Sequence, residues 1–261
     1  MNAVEAEHGL HSLGMGLEAI EQLAAEPDLG VSELARRLGV AKSSAHRILT
    51  TLALHKLVER SADGQRYRLG QRLHELGEVV AARNSLRERS LPLLEELRDA
   101  TGETVHVAVP SGGEVFYVER LESYQGLRFS SRVGRRMPVH CTSSGKAIAA
   151  FNPEVARLAC ELGFSNRTGR TIRDQQQFLR CLVETRRRGY AFSVEEAELG
   201  LSSVAAPVLD RDGVARAAIS VAGPTVRVIG DDIAPLARRV LEAVRRLQAQ
   251  EVVWWTGSAY R

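Results

Sequence analysis

The sequence predicts a multidomain α+β chain, in which a small winged helix-turn-helix domain precedes a linker helix and a larger domain mixing helices and strands. Three observations carry that prediction. Two short helical patterns meet across a single glycine, Gly39. A strand–turn–strand pattern follows them directly, and from about residue 86 strand patterns alternate with amphipathic helical stretches. The 261 residues suit one large domain or two modest ones, at roughly 100–200 residues each. Hydrophobic residues at 44% and charged residues at 26% permit a packed core and argue against disorder.

Residues 1–11 read as a loose tail. Ser12 is placed to cap a first helix whose apolar positions are Leu13, Leu17, Ile20 and Leu23/Ala24. Gly14 and Gly16 each weaken its first turn by up to ~1 kcal/mol relative to alanine, and Pro27-Asp28-Leu29-Gly30 breaks it. A second helix runs over 32–38 with Glu33 in its first turn, Gly39 turns the chain, and a third helix spans 41–54. Leu34, Ala35, Leu38, Val40, Ala45, Ile48, Leu49 and Leu52 fit two short helices packed across that turn. Leu57-Val58-Glu59-Arg60 and Arg66-Tyr67-Arg68-Leu69, joined through Ala62-Asp63-Gly64-Gln65, read as a wing. Residues 12–71 thus make one domain. Residues 72–85 form the linker helix, with Leu73, Leu76 and Val80 on one stripe that suits a partner chain or its own domain.

The larger domain, 86–251, opens with a helix over 86–100. Strand patterns fall at 104–109, 115–120, 127–132, 190–194, 203–209 and 214–221, and helical patterns at 143–151, 153–162, 175–188 and 232–250. Sheets joined by helical crossovers leave room for a pocket. Residues 252–261 read as a C-terminal tail, where Trp254 and Trp255 mark an oligomer contact or pack onto the last helix.

Several function classes are disfavoured. No stretch approaches the ~18 consecutive apolar residues of a membrane span, and the acidic start is unlike a secretory signal; a cytoplasmic protein without membrane contact is expected. Cys141, Cys160 and Cys181 offer neither a disulfide framework nor a metal pair. Ser143-Ser144-Gly145-Lys146 matches S-x-x-K without the partner motifs of that chemistry. It also mimics a phosphate loop, but His140 stands at the leading glycine position and Ala147 replaces Ser/Thr. His106, His140 and Cys141 are expected as core or pocket residues. Neither an enzyme nor a metal or cofactor is expected. The small residues at 143–145 either offer helix amides to an anion or simply open a capped helix.

Charge is more informative in its distribution than in its sum of +3. Residues 1–30 carry six acids and no Lys or Arg, whereas residues 31–70 carry eight bases against three acids. Such a basic face meets phosphates; a small helical interaction module is the rival use. Within it, Lys42 and Arg47 suit phosphate or guanine contacts, and Ser43, Ser44 and His46 suit closer readout. Arg36 joins this set, and Arg66 and Arg68 on the wing would grip the backbone or minor groove.

Four ordered segments resemble the IclR family of bacterial transcriptional regulators. They are Leu34 to Arg47 with Gln65 to Gly70, then Pro138 to Ala147 (PVHCTSSGKA), then Arg188-Gly189-Tyr190-Ala191 with Glu195-Glu196, Leu199-Gly200-Leu201 and Ala205 to Val208, and lastly Ala217 to Pro224. The resemblance covers about 12–248. It implies a homodimer or dimer of dimers, a homotetramer, whose winged domains join through linker helices to GAF-like effector-binding domains. The effector pocket it implies is lined by Leu127, Phe129, Ser143, Ser144, Ser193, Leu201, Ser203, Ser220 and Ala222. Departures from the family pattern are Met15 for a frequent Arg, Ser193 for Asp, Ser203 for Cys and Ala222 for Ser. The first implies one phosphate contact fewer; the other three make the pocket less acidic and less polar, so an anionic ligand with apolar bulk, a small organic or aromatic acid, is expected. The expected function is a ligand-responsive regulator, a repressor of a catabolic operon, on a pseudo-palindromic double-stranded operator. The rivals are a ligand-processing enzyme fused to a DNA-binding module and a ligand-independent DNA binder.

Overall fold

The computed structural model describes residues 10–26, 28–61, 63–82, 85–124, 136–230 and 232–250. The expected strand at 127–132 and Trp254 and Trp255 lie outside them. The chain divides into two compact units, with the boundary between Arg83 and Asn84.

In the first unit, α1 (His11–Ala25), β1 (Leu29–Gly30), α2 (Val31–Leu38), α3 (Lys42–Leu54), β2 (Val58–Arg60), β3 (Arg66–Leu69) and α4 (Gln71–Ala82) follow in order. Leu10, not Ser12, occupies the cap position of α1, and no side chain caps it. Leu13 and Leu17 are 60% and 57% exposed rather than core. The buried stripe is Gly16, Ala19 and Leu23. Two apolar stripes run along this helix, and the small residues win because they allow close approach, with Gly16 lying beside Leu52 of α3. Gly39 ends α2 in the left-handed conformation at φ 64°, which glycine adopts without steric cost.

The segment expected only to break α1 also forms β1, which pairs with β3 in the order β1-β3-β2. In the wing, Val58 lies opposite Leu69, Glu59 opposite Arg68 and Arg60 opposite Tyr67. Side chains alternate across a strand, so Val58, Arg60, Tyr67 and Leu69 share the inner face, and Glu59, Arg66 and Arg68 the outer. Gly70 closes the wing onto α3. Its N–H donates to the Leu57 carbonyl at 2.8 Å, and a Cβ there would sit 2.2 Å from the Lys56 carbonyl oxygen. Along α4, Leu76, Val79 and Val80 are exposed.

The second unit runs α5 (Ser85–Thr101), β4 (Thr104–Ser111), β5 (Glu114–Leu121), β6 (Arg136–Pro138), a 3-10 turn (Val139–Cys141), α6 (Ser143–Phe151), α7 (Pro153–Leu162), α8 (Gln175–Arg188), β7 (Ala191–Val194), β8 (Leu201–Leu209), β9 (Ala215–Pro224), α9 (Thr225–Val228) and α10 (Ala234–Gln248). The strands form one antiparallel sheet in the order β6-β5-β4-β9-β8-β7. Leu94 and Leu97 of α5 and Val240 and Val244 of α10 pack with Val105, Val204 and Ile219 on one face. Ile148 of α6, Val155 of α7 and Phe178 of α8 cover the other through Ala108, Ala205 and Ala218. Both faces are buried, which is why the central strands read as long apolar runs. The alanines on the second face bring α6 close to the sheet, and Gly145 lets the start of α6 close against the 3-10 turn. A Cβ at Gly145 would lie 2.5 Å from the Val139 carbonyl oxygen.

Candidate DNA interface and effector cavity

Along α3, Ala45 and Leu49 are buried and anchor the helix. Lys42, Ser43, Ser44, His46 and Arg47 are all exposed, so every residue assigned to DNA on this helix reaches solvent. They divide between two sides. Ser44 and Arg47 edge an apolar groove against α1, which also holds Leu13, Met15 and Leu17. Lys42 and His46 edge the cleft between α3 and the wing.

The other basic residues are already engaged. Arg36, 73% exposed on its side chain, donates to Glu33 at 3.1 and 2.6 Å, and Arg37 also binds Glu33 at 2.8 Å. These bonds, Arg36 first, hold the Glu33 carboxyl down to about 2. Arg66 donates to the Asp28 carbonyl at 2.8 Å and Arg68 to Glu59 at 2.7 Å. A phosphate arriving at Arg36 or Arg68 therefore competes with a carboxylate. Arg60 was absent from the expected set. It donates to the Tyr67 hydroxyl at 2.7 Å, and its Nη2 lies 3.3 Å from His46 Nε2.

In the second unit, a cavity of about 50 Å³ lies between the sheet and the approach to α6. Ser193, Leu201, Ser203, Ser220 and Ala222 line it, as the sequence suggested. Strand register explains their convergence. Ser193 lies opposite Ser203, Ser203 opposite Ala222 and His106 opposite Ser220. His106, Tyr117, Met137, Cys141, Thr142 and Ala197 complete the lining; His106 and Cys141 were expected in core or pocket, and the other four were not foreseen. Leu127 and Phe129 lie outside the described residues.

Ser143 and Ser144 sit behind the lining. Ser143 Oγ donates to Ser203 Oγ at 2.7 Å, while Ser144 Oγ is buried near the Tyr117 phenol without a well-formed bond. Ser193 Oγ donates to the Cys141 carbonyl at 3.1 Å. Residues 143–145 open a capped helix. Thr142 accepts from the Gly145 N–H at 3.1 Å and donates to the Pro138 carbonyl. Lys146, in the following turn, points away to a buried ion pair with Glu196 at 2.6 Å. Among the described residues no three His, Cys, Asp or Glu side chains converge on a metal position, and no helix is long and apolar enough to cross a membrane.

The sequence profile for the IclR helix-turn-helix domain matches residues 12–62, and that for the bacterial transcriptional regulator IclR C-terminal domain matches residues 79–249. The chain belongs to the IclR family. The HTH-type transcriptional regulator BhcR of Paracoccus denitrificans is 33% identical over 245 residues, 93% of this chain and 88% of that one. An IclR regulator structure from Alicyclobacillus acidocaldarius covers 93% of this chain and 99% of its own, with TM-score 0.81 and 26% identity. An IclR homolog from Microbacterium hydrocarbonoxydans, solved with 4-hydroxybenzoate, has TM-score 0.79 and 28% identity over 91% of this chain and 98% of its own. The chain is thus a DNA-binding IclR-family transcriptional regulator.

The cavity of this IclR-family chain is uncharged. Burial pushes His106 down to about 3, helped by the Arg120 charge. Burial likewise pushes the Tyr117 phenol up to about 12 and the Cys141 thiol up to about 11. At neutral pH it offers hydroxyls, a neutral imidazole and a phenol, which is a set for hydrogen bonding rather than acid–base or nucleophilic chemistry.

Proposed function

We propose that this IclR-family regulator is an effector-controlled repressor of a catabolic operon, switched by a small carboxylic acid held in the cavity of the second unit. The observation that carries this reading is the uncharged, hydroxyl-rich lining. Ser203, Ser220, Tyr117 and His106 can satisfy a carboxylate by hydrogen bonds, with Met137 and Leu201 supplying apolar wall. A cavity of about 50 Å³ holds a handful of water-sized groups. A short-chain acid fits as the walls stand, and a ring such as the 4-hydroxybenzoate of the Microbacterium relative needs them to part.

Control follows from linkage: the acid changes operator affinity only through unequal affinity for the DNA-competent and incompetent arrangements. The linker helix couples the two sites in a cytoplasmic dimer or dimer of dimers, whose two-fold symmetry calls for a pseudo-palindromic operator. Lys42, Ser43, Ser44, His46 and Arg47 enter the major groove, with Arg36, Arg66 and Arg68 on phosphates.

Fluorescence anisotropy on duplexes selected by the protein from a random pool tests both halves. Arg47→Ala is expected to weaken binding by about 1–3 kcal/mol with the fold intact. Short-chain carboxylic acids are expected to shift the same isotherm, and neutral sugars to leave it unmoved. Unchanged affinity in Arg47→Ala removes that residue from the interface; an isotherm indifferent to every acid removes the effector.

A further inference from the structure

We infer that Arg60 is a positioning residue for DNA readout, holding His46 in the tautomer that carries its proton on Nδ1. The inference rests on α3 being the DNA-reading helix and adds a residue and a hydrogen-bond polarity to that reading.

The inner face of the wing is apolar except at Arg60. Val58 and Tyr67 are buried there, while Arg60 ends the row at the exposed edge. Two contacts hold its guanidinium. Arg60 Nε donates to the Tyr67 hydroxyl at 2.7 Å, and the guanidinium carbon lies 5.1 Å from the centroid of the same ring. Stacking together with a directional bond fixes the plane of a guanidinium. Tyr67 is itself 1% exposed, so this clamp is anchored in the core of the unit.

The clamped group then extends Nη2 to within 3.3 Å of His46 Nε2, across from wing to recognition helix. Arginine has donors only, so Nε2 must accept. A neutral imidazole accepting through Nε2 keeps its hydrogen on Nδ1. Arg36 and Arg68 are each occupied by a carboxylate, whereas no described carboxylate pairs with Arg60. Its partners are a phenol and an imidazole.

The consequence is a recognition helix that presents His46 as a donor of fixed identity. An Nδ1–H suits acceptors: guanine O6 or N7, adenine N7, thymine O4, or a phosphate oxygen. Without Arg60 the ring is free to turn and to populate both tautomers, so part of the binding free energy goes into choosing one.

Two measurements on the full-length chain test this. Nitrogen-15 NMR of the imidazoles, with His46→Ala to assign the signal, reads the tautomer in the absence of DNA. Nδ1–H is expected in the unaltered protein and a mixture in Arg60→Met, while Arg60→Lys, which keeps a donor, is expected to restore part of the preference. Anisotropy on a duplex selected by the unaltered protein reads the consequence. Arg60→Met and His46→Ala are each expected to weaken binding about tenfold. The double variant is expected to be no weaker than the worse single one, with the slope of affinity against salt unchanged. Additive losses, or a salt slope reduced by about one, would show a direct phosphate contact and overturn the positioning role, as would an imidazole spectrum indifferent to Arg60→Met. Failure of the unaltered protein to select any duplex defeats the DNA reading itself, a result separate from the tautomer.

Discussion

The two units treat polar groups in opposite ways. Apart from the Tyr67 phenol, the buried polar and charged side chains among the described residues belong to the second unit, from Ser90 to Ser220, and include Glu103, His106, Glu119, His140, Lys146 and Glu196. The first unit seals its core with Ala19, Leu23, Leu34, Leu49, Val58 and Tyr67, and leaves its basic residues exposed or half-buried. A DNA-reading surface needs charge in solvent, where counterions can be exchanged for phosphates. A small-molecule site needs polar groups inside, where an unsatisfied partner costs enough to discriminate between ligands. The same side-chain chemistry thus serves affinity in one unit and selectivity in the other.

That contrast breaks first at Lys146. Its ammonium is 2% exposed and bonded at 2.6 Å to Glu196, itself 11% exposed, whose other carboxylate oxygen is buried without a partner. Lys146→Met leaves that carboxylate unpaired and is expected to destabilise the second unit by about 3–5 kcal/mol, with Lys146→Met/Glu196→Leu recovering most of it. Urea unfolding followed by peptide-resolved hydrogen exchange separates the units, and a single variant as stable as the parent refutes the account.

Of similar size is the acid response. Burial depresses His106 from 6.5 to about 3, so as pH falls the unfolded chain takes up this proton before the folded one. The stability present above pH 6.5 is lost progressively towards pH 3, on the order of 5 kcal/mol in all. His106→Gln is expected to flatten that slope in the second unit and leave exchange in the first unchanged. Smallest is Arg68→Ala, which removes an exposed pair with Glu59. Thermal unfolding of the first unit is expected to move by less than ~0.5 kcal/mol, while the salt slope of duplex binding falls by about one.

Legibility in the sequence followed the same division. Three helices, the glycine turn and the two main wing strands were readable, because in the first unit polar means exposed and periodicity reports burial directly. The exceptions are instructive. Leu13 and Leu17 misled because α1 has two apolar stripes and the small one packs. β1 was hidden by length, two residues beside a proline. In the second unit α6, α7 and α8 were recovered at their observed bounds, whereas β6, the 3-10 turn and α9 were missed as segments of three or four residues. Five cavity residues were legible through the family motifs. Tyr117 was not, and His106 only as a residue of core or pocket, since a strand position alone does not reveal which neighbour the sheet will set beside it.

Gly70 has a mechanical consequence. With no room for even a methyl group against Lys56, and with its N–H tied to Leu57, the joint between the wing and α4 has no slack. The twelve residues of α4 extend about 18 Å at ~1.5 Å per residue, which makes them a rod welded at one end to the turn that follows α3. A residue bulkier than glycine at the weld would have to push the Lys56–Leu57 backbone aside and so loosen the shaft from the turn it is fixed to.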